Sequence, residues 1–479
     1  MNYRMIARSI GFILLSMAGL MLLPLIVGLC FGERVVNFII TIGIALFIGC
    51  CLLLAKPRTQ TIYAPEGFVI VALGWISISL LGAIPFVISG DIPHYIDALF
   101  ETVSSFTTTG ATILDDVEGL SKSCQTWRIF GHWIGGMGVL VFIMAVMPMT
   151  GEHSSHILRA EMPGPTYSKL VPKARNTVLI LYAIYVLLTA AETAFLMGGG
   201  MSFYEALLHS FSTAGTGGFS TRNAGTAAFD SRYIENVISA FMLIFSVNFN
   251  IYFLIAIGKL KQALKSEELN WFLGIVALAI GAVCLCLRGI YPDFRTAFHY
   301  ALFNVSSIVS TTGMTNVDFN LWPEYGKWVL IGLMFIGGCA GSTAGGIKIS
   351  RVVILIKACA LDMLRLSHPR AVSCVRLDGK KVSHGTVDAI QTYFVIYILL
   401  LAFGSLLVSY DRQGISTSFT AVVACLSNVG PGMSKVGPAG NYSIFSSFSK
   451  IVLMLEMFLG RLEVYPMMML FYPRTWKRG

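Results

Sequence analysis

The chain has 479 residues, 55% of them hydrophobic and 12% charged, and 34 Lys and Arg against 25 Asp and Glu leave a net charge of +9. A soluble globular protein is roughly half apolar and about a quarter charged, and the mean hydropathy here is +0.73, so lipid is the solvent for much of this chain. The basic residues lie between apolar runs rather than in one patch, which suits anionic lipid headgroups and not nucleic acid. Ten cysteines without CxxC spacing, and His153 and His156 alone in a polar stretch, suggest neither a disulfide framework nor a metal site.

In chain order, ten stretches are long enough to cross about 30 Å of hydrocarbon as helices. They lie near residues 10–30, 35–55, 67–89, 125–148, 177–198, 234–258, 270–288, 328–360, 386–409 and 449–472. The first has no small-residue cleavage site behind it and runs straight into the second, so it is expected to stay in the mature protein. An even number of spans puts both termini on one side. The loops on that side carry 22 basic residues against ten opposite, which orients both ends toward the cytoplasm.

Four outer connections share a pattern: a short, moderately apolar segment, a Ser/Thr/Gly cluster ending near Gly110, Gly218, Gly313 or Gly430, and a polar tail. Such segments are too short to span. They read as re-entrant half-helices with extended returns, tolerated at membrane depth only where protein or water surrounds them. Sliding residues 98–112 (ALFETVSSFTTTGAT) by 203 positions onto 301–315 (ALFNVSSIVSTTGMT) gives eight identities in fifteen. A slide of 108 onto 206–220 gives five, and the fourth window, 418–432, keeps two.

The expected architecture is therefore all-α and polytopic: four pseudo-symmetric helix, pore-loop, helix repeats around one central pore, plus two extra N-terminal transmembrane helices. The expected boundaries are 1–58 for the N-terminal hairpin, then 59–150, 151–262, 263–366 and 367–479 for repeats 1 to 4. If the repeats close around an axis, four glycine-containing strands meet there and offer a ring of backbone carbonyls. Such a ring can replace the hydration shell of a monovalent cation without a fixed charge that would trap it. The expected ion-coordinating residues are Thr108, Thr109 and Gly110; Thr216, Gly217 and Gly218; Thr311, Thr312 and Gly313; and Asn428, Val429 and Gly430.

With TTTGAT at 107–112, GGFST at 217–221, TTGMT at 311–315, NVGPG at 428–432, GGCAGSTAGGIK at 337–348 and GRLEV at 460–464, the whole chain resembles the TrkH and KtrB superfamily of potassium transporters, the TrkH branch most. The resemblance implies one pore per subunit, a homodimer, four filter strands, and filter glycines at Gly110, Gly218, Gly313 and Gly430. In related plant transporters a serine at the first position accompanies sodium permeation, so Gly110 argues for potassium.

Residues 337–346 put five glycines, with Ser342 and Thr343, inside the eighth span, where a continuous helix is unfavourable. Gly341 and Gly346 have the spacing of a phosphate-cradling loop, but Ile347 stands where its Lys is required. Close helix packing through Gly341 and Gly345 is the structural alternative. The resemblance implies instead an intramembrane gate, made of Gly337, Gly338, Gly341, Ser342, Thr343, Gly345, Gly346 and Lys348, with Ala344 a small substitution in the motif. Arg461 lies in the last span, where a charge needs water or a partner. Glu456 and Glu463 are candidate partners, and the family's matching arginine is thought to lie in the pore.

These readings combine into potassium uptake by channel-like conduction across a bacterial cytoplasmic membrane, with K+ as the transported ion. No organic cofactor or enzyme chemistry is expected on this chain. The resemblance also implies a cytosolic TrkA-type ring of nucleotide-binding RCK domains, with loops 159–175 and 351–381 and the C-terminal tail as its docking surface. A sodium- or proton-coupled secondary transporter is the alternative, although such proteins place substrate at inverted repeats and these repeats run in one orientation. A membrane enzyme or scaffold would concentrate acid, base or metal-ligating residues that the chain lacks.

Overall fold

The computed structural model describes residues 1–55, 63–138, 174–368 and 374–476. The distal end of the fourth expected span, His153, His156 and most of the 159–175 stretch lie outside these residues, as do the junctions expected at 58/59 and 150/151. The regular structure of the described residues is helical, apart from a two-residue antiparallel pair, Arg376–Leu377 with Lys380–Lys381, and an isolated bridge between Arg288 and Tyr291.

An N-terminal hairpin of α1 (Tyr3–Leu20), α2 (Leu22–Cys30) and α3 (Val36–Leu53) precedes four similar units. The first consists of α4 (Ala64–Gly82), α5 (Ile84–Ser89), the short α6 (Tyr95–Phe106) and α7 (Lys122–Gly136). The second has α8 (Ala174–Gly198), short α9 (Phe203–Ala214), α10 (Arg232–Phe245) and α11 (Phe249–Ala256), and α12 (Leu260–Leu264) contains the 262/263 junction. Next come α13 (Glu267–Cys286), short α14 (Phe294–Val309), α15 (Glu324–Ile336) and α16 (Ile349–Ser367). The last unit is α17 (His384–Val408), short α18 (Ile415–Leu426), α19 (Ser447–Arg461) and α20 (Tyr465–Phe471), followed by α21 (Pro473–Trp476).

The four short helices have 12, 12, 16 and 12 residues. At 1.5 Å per residue a 12-residue helix reaches about 18 Å, roughly half the hydrocarbon thickness. They are nevertheless largely buried, and several of their Ser and Thr side chains bond within their own helix, while the buried hydroxyls of Ser104, Ser212, Ser306 and Ser418 have no protein partner among the described residues. Thr102 donates to the Ala98 carbonyl at 2.7 Å, Ser210 to Ala206 at 2.8 Å, Thr213 to His209 at 2.9 Å and Thr420 to Ser416 at 2.7 Å. Back-bonding to the i−4 carbonyl lets a polar helix sit where no water supplies partners.

Among the described residues, six helical segments are long and apolar enough to cross a membrane: Tyr3–Cys30, Val36–Leu53, Pro65–Ser89, Val178–Gly198, Glu267–Cys286 and His384–Asp411. They are the hairpin and the helix that opens each unit. The closing helices behave differently. The sixth and tenth expected spans are not continuous, as the sequence suggested, but broken like the eighth. α10 and α11 meet at 92° across residues 246–248, where Asn248 caps α11 by accepting from the Asn250 amide at 3.0 Å. α19 stops at Arg461 because Glu463 and Val464 both have positive φ, 56° and 67°. The eighth span is interrupted from Gly337 to Lys348, slightly beyond the glycine run. Periodicity and hydropathy are blind to such breaks, because the flanking residues remain apolar.

Candidate functional site

Each short helix ends in the same turn. The amides of Thr109, Gly217, Thr312 and Val429 donate to the carbonyls of Ser104, Ser212, Ser307 and Ala424, at 2.8–3.0 Å. The residue before each, Thr108, Thr216, Thr311 or Asn428, is left-handed, with φ between 54° and 56°. Helices commonly end in such a turn with glycine at the left-handed position. A side chain there costs roughly 1–2 kcal/mol, and here two of the four reach neighbouring units, helices or loops. Thr311 Oγ1 accepts from the Gly345 amide at 2.6 Å, and Asn428 Nδ2 donates to Thr109 Oγ1 and to the Met457 carbonyl, both at 3.0 Å.

Two residues on, Gly110, Gly218, Gly313 and Gly430 are again left-handed. A methyl group added to Gly110 would collide with the carbonyl oxygen of Gly217, to Gly218 with that of Thr312, to Gly313 with that of Val429, and to Gly430 with that of Thr109. Each strand thus lies against the next, and the fourth lies against the first. The same order holds at the outer side. Val117 N donates to Asn223 Oδ1 at 2.7 Å, Thr226 Oγ1 to the Thr315 carbonyl at 2.9 Å, Ser434 N to Asn320 Oδ1 at 2.9 Å and Tyr442 N to the Thr112 carbonyl at 2.8 Å. The twelve expected residues are therefore brought together in a closed ring, onto which the carbonyl ends of four short helices converge. Helix C-termini carry partial negative charge and favour cations.

A cavity lies on each side of the ring. The outer one, about 260 Å³, touches all four glycines and is bordered by Asp115, Arg128 and Tyr442. Nearby, the Asn223 side chain and the Glu118 and Gly119 amides hold the Asp116 carboxyl below its ordinary range. The inner one, about 60 Å³, is bordered by Gly341, Ser342, Gly345, Gly346, Lys348, Asn428 and Arg461.

The loop between α15 and α16 narrows the inner cavity. Its ends are pinned together, Ile347 N donating to Phe335 O and Lys348 N to Ile336 O, both at 3.0 Å. Gly337 and Gly346, both at positive φ, approach so closely that a methyl on Gly346 would lie 2.8 Å from the Gly337 Cα. The loop is then held from every side. Gly346 N donates to the Ser427 carbonyl at 3.0 Å, Cys339 N to the Ser246 carbonyl at 2.9 Å and Thr343 Oγ1 to the Phe245 carbonyl at 3.2 Å. Gly338 and Gly341 face Ser246 and Asn248 across the bend of the second unit, while Ser342 Oγ bonds back to Cys339 O at 2.6 Å and Lys348 Nζ to Ala344 O.

Arg461 closes this assembly. Its guanidinium donates to the Thr343 carbonyl of the loop at 2.9 Å and to the Gly135 and Gly136 carbonyls, at the end of α7, at 2.5 and 2.7 Å. One side chain from the fourth unit thereby joins the first unit to the third.

Comparison with known proteins bears on the whole chain. The TrkH family profile, described as cation transport protein, matches residues 34–280 and 292–478. The Trk system potassium uptake protein TrkH of Salmonella typhimurium is 35% identical over the full length of both chains. The Escherichia coli K12 protein TrkG, named a Trk system potassium uptake protein, is 33% identical over 99% of both. The crystal structure of the potassium transporter TrkH from Vibrio parahaemolyticus superposes with a TM-score of 0.89, at 33% identity, covering all of both chains. The chain belongs to the TrkH family. It is a multi-pass membrane protein of the all-α architecture described above.

Within this TrkH-family site the structure decides between alternatives for Arg461 and adds residues that motif reading missed. The contacts described for Arg461 run to backbone carbonyls. Glu463, one of the two candidate partners, pairs with Arg351 at 2.5 Å. Glu456 points instead at Gly404. Glu268, at the start of α13, accepts from the Ala340 amide at 2.6 Å and the Ser350 amide at 3.2 Å, tying the loop to the helix after it. Glu101 anchors the first return strand, accepting from Thr112 Oγ1 at 2.9 Å and Ile113 N at 3.0 Å, and pairs with buried Arg128 at 2.5 Å. His209 and Asn304, at the same position in units two and three, bond Ser220 at 3.1 Å and Asn316 at 2.9 Å. A polar residue recurring at one position of three buried helices was the available signal.

Proposed function

We propose that this chain takes up potassium across the cytoplasmic membrane through a channel-like pore. Its selective element is the ring of main-chain oxygens from Thr108–Thr109–Gly110, Thr216–Gly217–Gly218, Thr311–Thr312–Gly313 and Asn428–Val429–Gly430. The observation that carries this reading is the cyclic contact of each glycine with the carbonyl of the next strand. It supports a narrow passage walled by backbone rather than side chains, where dipoles replace water around a dehydrated cation. Potassium is the expected cargo because the full-length relatives are named as potassium uptake proteins.

The 337–346 loop, Lys348 and Arg461 form the gate in this reading, closed as described. The guanidinium adds a positive barrier below the ring, and opening requires the loop to leave Arg461, Thr311 and Ser427. Control comes from outside the chain: a cytosolic TrkA-type RCK ring docking on the basic cytoplasmic surface that includes residues 351–381. Two copies form a homodimer with a pore each, and both termini face the cytoplasm. Rubidium flux into proteoliposomes tests the proposal. Saturable passive flux competed by potassium supports it, and flux that requires a sodium or proton gradient reassigns the protein to coupled transport.

A further inference from the structure

The four strands are equivalent in backbone but not in what holds their oxygens. The hydroxyl of Tyr442 donates to the Gly430 carbonyl at 2.7 Å. Among the described residues, no protein donor is found for the carbonyls of Gly110, Gly218 or Gly313. Tyr442 itself is rigidly seated. It is 2% exposed, its ring packs on Phe100 of α6 and on Phe445 with centroids 5.6 and 6.0 Å apart, and its amide donates to Thr112 O at 2.8 Å. The neighbouring Asn441 reaches Asp115 at 2.5 Å. The residue therefore wedges into the seam where the fourth strand meets the first, on the outer side. Asn428 bridges to Thr109 on the inner side of the same seam.

We infer that Tyr442 is a positioning residue that sets the outermost oxygen layer of the pore, making it three carbonyls of one kind and one of another. This rests on the proposed conduction reading. Discrimination among alkali ions depends on the number and field strength of the coordinating carbonyls. A phenol donating to one of them fixes its direction and withdraws part of its electron density. The fourth unit, whose window shares two residues with the first, retains the glycine but recruits a side chain 12 residues further on to hold its oxygen. Tyr442 does not touch the ion; it acts through Gly430.

The test is rubidium uptake, with potassium and sodium as competitors, in a potassium-uptake-deficient bacterium expressing the full chain. Tyr442→Phe keeps the ring and removes the donor. The expected result is a KM for rubidium raised about fivefold and a weaker preference for potassium over sodium, with maximal rate and membrane abundance unchanged. A role in packing alone would lower abundance and maximal rate and leave both ratios in place. KM and preference within twofold of wild type overturn the inference, whereas wild-type protein that takes up no rubidium overturns the conduction reading on which it rests. Should Tyr442→Phe fail to insert, 3-fluorotyrosine at residue 442 keeps the shape and strengthens the donor. The KM must then move, and an unmoved KM overturns the inference.

Discussion

Gly313 illustrates how little latitude single residues have at the ring. Its φ of 76° is left-handed, and a methyl group there would strike the Val429 carbonyl. Gly313→Ala is expected to lower rubidium uptake at least tenfold at equal membrane abundance. Gly332→Ala, on α15 where the added carbon meets nothing within 4 Å, leaves uptake unchanged. The buried Arg128–Glu101 pair, 2% and 0% exposed, makes a second prediction. Glu101→Gln strands a buried guanidinium, which costs about 3–5 kcal/mol and shows as a lowered thermal unfolding midpoint in detergent. The same change at exposed Glu118, paired with Arg222 at 3.7 Å, costs less than about 1 kcal/mol. The ring glycines were legible because the same residue returned at the same place in each window. Glu101, His209 and Asn304 were not, because their chemistry differs while their task is shared.

At the scale of elements, the closing helices of the second, third and fourth units break, and the broken ends face one another. The 337–346 loop fills the space they leave, so its stability is a sum of contacts to other units rather than a property of its own glycines. Arg461→Ala removes three charge-assisted bonds, each worth about 1.5–3 kcal/mol, and is expected to raise basal rubidium flux tenfold or more. Unchanged flux at equal expression would exclude Arg461 from the closure. Thr311→Val removes one neutral acceptor, about 1 kcal/mol, and should raise flux about fivefold. The break at Gly337 could be read from composition. Those at 246–248 and 462–464 were not: the Asn248 cap on Asn250 is a single local residue in an apolar run, the Ser246 carbonyl meets Cys339 93 residues away, and residues 463–464 take backbone angles that no side chain there prefers.

For the molecule as a whole, the decisive contacts lie between the first unit and the last. Besides Asn428 and Tyr442, Lys450 bonds Asp97 at 2.6 Å with its side chain 8% exposed. A double-mutant cycle of Lys450→Met and Asp97→Asn is expected to give a coupling of about 1–3 kcal/mol, read from unfolding in detergent; additive effects would show the seam does not depend on this pair. Fourfold repetition was evident in sequence for three units. The fourth window keeps little in common with the others except its glycine, so its place was read from spacing and flanking spans, and the contacts that close it onto the first unit, through Asn428, Tyr442 and Lys450, carry no sequence signal of their own.

That lone survivor has a consequence for how the copies diverged. Once four duplicates stand in a circle, each supplies the clearance its neighbour requires, so a bulky replacement in one is felt by another. Elsewhere the copies were free to drift into carboxylate, imidazole, amide or methyl. Where each one walls in the next, they could change only together.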